Sequence, residues 1–168
     1  FLQALEDEQF NIEGMVHCAR LRPDGAPEAD QMERALRLGA EATRAGLRGL
    51  ASSSGPAIRN AVLLTAWAPG QSLPLPAPAA AAQGAMVTLA MAMGRELAGA
   101  GVRVNAISLG LLAGGAASAV SADQVESYNR LSALHRVGTA AEIASTVLWL
   151  LKENRILNGK VLASNGGI

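Results

Sequence analysis

The 168 residues are enough for one domain with one sizeable core; half are hydrophobic but only 3% aromatic, so that core has to be built from Ala, Val, Leu, Ile and Met. Fourteen basic residues balance fourteen acidic ones without a basic block, which argues against nucleic-acid binding and leaves a surface weakly protected against self-association. Cys18 is the only cysteine, so no internal disulfide and no zinc spacing exists; a cytoplasmic location is the default, and no apolar run is long enough to span a bilayer.

The chain opens on Phe1 rather than Met and its first segment lacks a signal-peptide pattern, as in a processed chain or a part of a longer one. Positions 1–10, with Phe1, Leu2, Leu5 and Phe10, have the spacing of the end of an amphipathic helix. Positions 14–19 form a short apolar run that reads as a buried strand, and 21–27, with two Pro and a Gly, read as a loop. Helical spacing of Met32, Leu36, Leu38 and Leu47 predicts a helix over 28–50, ending at a Ser-rich break over 51–55. A second buried strand is predicted over 61–66, and a Pro-rich loop over 67–78.

Positions 79–100 are Ala-rich with Met86, Met91 and Met93 and no interior Pro, and predict the longest helix. A third strand is predicted over 102–108, and a flexible Gly-rich segment over 110–115. Ser121 opens a further helix, with Asp123 and Glu126 near its positive end. Thr139-Ala-Ala-Glu142 is a capping box for a helix through Leu151. A last strand is predicted over 160–163, then a turn at Asn165-Gly-Gly167. Short strands, apolar on both sides and alternating with helices, specify an α/β layer with a parallel sheet and a single domain over 1–168.

The order of motifs is more specific than any one of them. Arg95-Glu-Leu-Ala98 is followed by Gly101-Val-Arg-Val-Asn-Ala-Ile-Ser-Leu-Gly110, Arg136-Val-Gly138, Ala141-Glu-Ile-Ala144, Asn158-Gly-Lys160 and Asn165-Gly-Gly167. This series resembles the C-terminal half of classical short-chain dehydrogenases/reductases of the ketoacyl-reductase type. The resemblance implies a truncated Rossmann-like, doubly wound parallel sheet. No GxxxGxG or GxGxxG turn precedes residue 14, so it also implies that these residues lack the first βαβ, cofactor-binding half of that fold.

Family members transfer a proton from a Tyr whose pKa is lowered by a Lys four residues on, with a Ser on the substrate oxygen and an Asn supporting a water relay. Anchored on Arg95-Glu-Leu-Ala98, the resemblance puts the Tyr position at Ala79, the Lys position at Gln83, the Ser position at Ala66 and, more loosely, the Asn position near Arg37. The Asn-Asn-Ala-Gly run corresponds to His17-Cys-Ala-Arg20, the Pro-Gly to Leu109-Gly110, and the carboxamide-facing Thr to about Gly114. No shift of alignment restores the pair: the one Tyr is Tyr128, position 132 is Ser132, and the only lysines are Lys152 and Lys160.

Other candidates have plainer readings. His17 and Cys18 are adjacent on a strand and face opposite ways, so a core Cys beside a polar edge is expected rather than a thiolate–imidazolium pair. His135 reads as a loop or interface residue, and Asp123, Glu126, Tyr128 and Arg130 as a solvated helix face. The three Met of the long helix read as an interface, where Met adapts to irregular apolar surfaces. The arrangement points to no catalytic, cofactor-binding or metal residue in this chain. It implies a non-catalytic subunit of a hetero-oligomeric short-chain dehydrogenase/reductase, whose active partner subunit holds NAD(P) and acts on a hydroxyacyl- or ketoacyl-CoA or a related alcohol or ketone. Two alternatives stand beside it: an NAD(P)-dependent oxidoreductase seen in part, and a ligand-binding or regulatory protein, alone or as a homo-oligomer, that uses the vacated cleft.

Overall fold

The computed structural model describes residues 13–18, 28–66, 77–114 and 120–168. The helix end expected at 1–10, the loop at 21–27 and most of that at 67–78 lie outside them. Strands β1 (Gly14–Cys18), β2 (Arg59–Thr65), β3 (Val102–Leu109) and β4 (Val161–Ser164) lie side by side in that order, every pair parallel. Between them run helices α1 (Glu28–Leu36), α2 (Ala42–Ser52), α3 (Ala77–Glu96), α4 (Ala122–Leu131) and α5 (Ala140–Lys152).

Both faces of the sheet are covered, which is why β2 and β3 carry apolar residues in succession. On one face Ala61 and Leu63 of β2 and Val102, Val104 and Ala106 of β3 meet Leu47 and Leu50 of α2 and Met86, Ala90 and Met93 of α3. On the other, Val62 and Ile107 meet Ile143, Val147 and Leu150 of α5. Full burial of side chains such as Leu47 or Met86 contributes roughly 1.5–3 kcal/mol each.

The methionines correct one expectation. Met86 and Met93 are core residues of this chain and only Met91 is exposed, because the first two fall on the side of α3 that rests on the sheet. The long helix also starts two residues earlier than expected. Pro78 belongs to its first turn, where the missing N–H has no intrahelical partner to lose. It stops at Glu96, and Ala98–Ala100 form a separate 3-10 turn. The helix expected over 28–50 is interrupted by a π segment, Arg37–Glu41, with the Thr43 hydroxyl donating to the Gly39 carbonyl. Hydrophobic spacing does not register one extra residue in a turn.

Four asparagines fasten the α5–β4 connection to the sheet. Asn105 of β3 donates to Leu157 O at 3.0 Å and accepts from Lys160 N at 3.1 Å. Asn154 donates to Asn60 Oδ1 at 3.1 Å, and Asn60 donates to Leu151 O at 3.0 Å. Asn158 accepts from Val104 N and donates to Gly94 O, so one side chain ties β3 to α3. Within the Gly101–Gly110 motif, Asn105 thus ties the sheet to a neighbouring connection. At Gly94 the connection comes so close that a Cβ would sit 2.7 Å from Asn158 Oδ1 and 2.8 Å from Gly159 N.

That crowding gives a test. Gly94→Ala should cost about 1–3 kcal/mol by overpacking against backbone. In urea this appears as a lower midpoint at unchanged slope; an unchanged midpoint would show that the contact yields freely.

Candidate functional site

The carboxyl end of β2 and the first two turns of α3 bring together three of the four positions picked out in the sequence. Ala66 follows the last residue of β2, Ala79 and Gln83 lie one turn apart on α3, and the Ala66 N–H donates to Gln83 Oε1 at 2.9 Å. Gln83 is buried and Ala79 partly so. No hydroxyl, phenol or ammonium stands at any of the three. A methyl group cannot transfer a proton and an amide carries no charge with which to lower a neighbouring pKa. These side chains do not fit the nicotinamide-ribose and proton-transfer roles that the family resemblance attaches to the positions. The fourth, Arg37, opens the π segment and is exposed; its guanidinium pairs with Glu33 at 3.6 Å on the same helical surface.

His17 and Cys18 sit at the end of the edge strand. The His17 imidazole is half-buried, its Nε2 has no hydrogen-bond partner among the described residues, and burial lowers its pKa below the usual value. Cys18 is exposed, which corrects the expected core position. β1 has a neighbour on one side only among the described residues, and α5 reaches its start, where Leu151 closes on Gly14. No cluster of metal-ligating side chains occurs among the described residues.

The segment after β3 also differs from expectation. Residues 110–114 are held, not loose: Gly110 N donates to Ser164 O at 3.0 Å, Ala113 N to Gly138 O at 2.8 Å and Gly138 N to Leu111 O at 3.0 Å. Only Gly114, with φ +79°, faces open space. Gly110 is required because a Cβ there would fall 2.0 Å from the Tyr128 hydroxyl. Tyr128 itself is buried, contrary to the expected solvated face, and donates to Asn165 O at 2.7 Å. Burial raises its pKa, against a smaller lowering by a backbone hydrogen bond with Leu111, so this phenol is a weaker acid than usual. It is a structural pin between α4 and the end of β4.

Beside that pin lies a groove of about 640 Å³ whose walls include Leu134, Arg136, Glu142, Ile143 and Gly166. Two charged side chains of its wall pair with each other. Arg136 grips Glu142 with two bonds, at 2.6 and 3.1 Å, while Glu142 completes the capping box with Thr139. The Arg136 bond first, then those from Thr139, hold the Glu142 carboxyl down to about 2. His135, with φ +54°, is an exposed loop residue of the same turn. The sequence reading missed the Ala66–Gln83 contact and the Asn154 and Asn158 clamps; the Asn-x-x-x-Asn spacing was their only trace.

The model of the family described as "Enoyl-(Acyl carrier protein) reductase" matches residues 2–168. Among curated proteins none matches. Solved structures share the fold. One is LugOII, a promiscuous reductase that catalyses keto-reduction at C1 during lugdunomycin biosynthesis: 22% identity, TM-score 0.82, over 98% of this chain and 68% of that one. A 3-oxoacyl-[acyl-carrier protein] reductase from Brucella melitensis is 21% identical, with TM-score 0.82 over 99% and 66%. A blue fluorescent protein from a metagenomic library, in complex with NADPH, is 19% identical, with TM-score 0.84 over 99% and 68%. The chain thus spans about two thirds of the length of these structures.

Two outcomes follow from the pins around the groove. Tyr128→Phe leaves the Asn165 carbonyl without its donor and should cost about 1–3 kcal/mol in chemical denaturation. Glu142, depressed from 4.5 to about 2, contributes stability that is complete above its ordinary pKa and is lost as pH falls through that window. Glu142→Gln should be less stable than the wild type at pH 6, with the gap closing towards pH 2; a gap that does not change with pH would assign the loss to packing.

Proposed function

The chain belongs to the short-chain dehydrogenase/reductase family, and from that premise we propose that it is a non-catalytic subunit of a hetero-oligomeric member of the family. The observation that carries this reading is the contact at the end of β2: the positions for Ser, Tyr and Lys are Ala66, Ala79 and Gln83, and the amide at 83 is turned onto the backbone of Ala66. The single Tyr of the sequence is engaged elsewhere, with no Lys four residues after it. In this reading an active partner of the same family holds NAD(P) and supplies the Tyr and Lys. The partner's substrate is a ketoacyl or hydroxyacyl thioester or a related ketone or alcohol, in line with the acyl-carrier-protein reductase description of the family model.

Association is supported by the surface. Among the described residues β1 pairs on one side only, with Val16 exposed, and Leu36, Leu38 and Met91 are exposed on α1, the π segment and α3. Apolar side chains on paired helices and an open strand edge are features that a neighbouring chain covers. No helix among the described residues is long and apolar enough to cross a membrane, and the proposal places the assembly in the cytoplasm. The groove of about 640 Å³ favours a second reading, a ligand-binding or regulatory protein, since its size suits a small molecule.

Native mass spectrometry of the protein isolated from its own source, without over-expression, separates these. The expected result is this chain with a second, larger dehydrogenase-like chain. Copies of this chain alone would overturn the partner-subunit reading and leave ligand binding. Oxidation of NADPH with acetoacetyl-CoA by the chain on its own would instead identify an oxidoreductase of which these residues are a part.

A further inference from the structure

We infer that Gln83 is an acceptor clamp on the exit of β2: the position that the family gives to a cation makes a structural contact in this chain. This rests on the reading that the cleft performs no proton transfer. Ladder pairing of β2 ends with Leu64 opposite Cys18 and Thr65 opposite Ser108, so the Ala66 N–H lies one residue beyond the strands that pair with it. Ala66 is exposed at this strand end, so its N–H is open to water or to a protein acceptor. Gln83 provides one from the second turn of α3, at 2.9 Å and with 8% of the residue exposed.

The chemistry of the contact is the reverse of what a lysine offers. A glutamine carbonyl accepts, whereas an ammonium has three donors and no acceptor. A lysine placed along the same path would set N–H against N–H at the end of β2. The clamp also joins two points 17 residues apart in sequence and so fixes where α3 begins relative to the sheet. Ala79, one turn earlier, adds no group that competes for the Ala66 donor.

Residue-resolved hydrogen exchange on the full chain, in whatever assembly it is isolated, reads this bond directly. Gln83→Met keeps the length and removes the acceptor, Gln83→Lys installs the family residue, and Gln83→Glu keeps an acceptor oxygen. The Ala66 amide should exchange roughly tenfold faster in the Met and Lys variants, the size of one net hydrogen bond, and near the wild-type rate in the Glu variant. The Leu63 amide, inside the ladder, serves as the reference for an intact strand. Equal Ala66 rates in all four proteins, or protection retained by Gln83→Lys with Leu63 unchanged, would overturn the clamp. Neither result depends on which chains native mass spectrometry finds, so the two ideas fail separately.

Discussion

A parallel sheet covered on both faces gives its polar groups no water to turn to, and each must find a partner inside the fold. Asn105 meets that constraint at the centre of the molecule. It is buried on β3, and it satisfies both ends of its amide with the backbone of the segment that leads to β4. Asn60, Asn154 and Asn158 extend the same solution to β2, α5 and α3. These bonds hold the segment that leads to β4, which itself pairs with β3 and packs Val161 and Leu162 against the two cores.

A polar side chain also fastens the exit of β2. Where the ladder of β2 runs out, the N–H of the exposed Ala66 donates to the buried Gln83. At the position that the family resemblance gives to a lysine, an amide side chain makes a backbone contact. At the end of β3 the chemistry is similar: the one phenol of the chain secures the Asn165 carbonyl, and Gly110 stays a glycine so that the hydroxyl fits. The carboxyl ends of both central strands are thus fastened by polar side chains.

Surface and interior divide the remaining side chains in a way that bears on association. Val16, Leu36, Leu38 and Met91 remain exposed around β1 and the α1–α3 surface, whereas Met86 and Met93 are taken up by the core. The Arg136–Glu142–Thr139 cluster pairs the charged side chains on one wall of the groove, beside the apolar Leu134 and Ile143.

The sequence by itself determined the class of fold and the absence of a Tyr-x-x-x-Lys pair. Short apolar runs at 61–66 and 102–108 mark buried parallel strands because both faces must be apolar, and the Ser121 and Thr139 caps mark helix starts because capping is local; the run at 14–19 does mark a strand, Gly14–Cys18, but it is partly exposed and not the buried strand expected. A missing residue type is likewise visible without coordinates. Only the tertiary structure decided that Met86 and Met93 are core, that Cys18 is exposed, that Tyr128 is a buried pin and that residues 110–114 are held. Each of these depends on which surface another element happens to cover. The Ala66–Gln83 bond belongs to the same group: it forms between residues whose spacing carries no periodic signal, and it exists because the end of one strand and the second turn of the next helix meet in space.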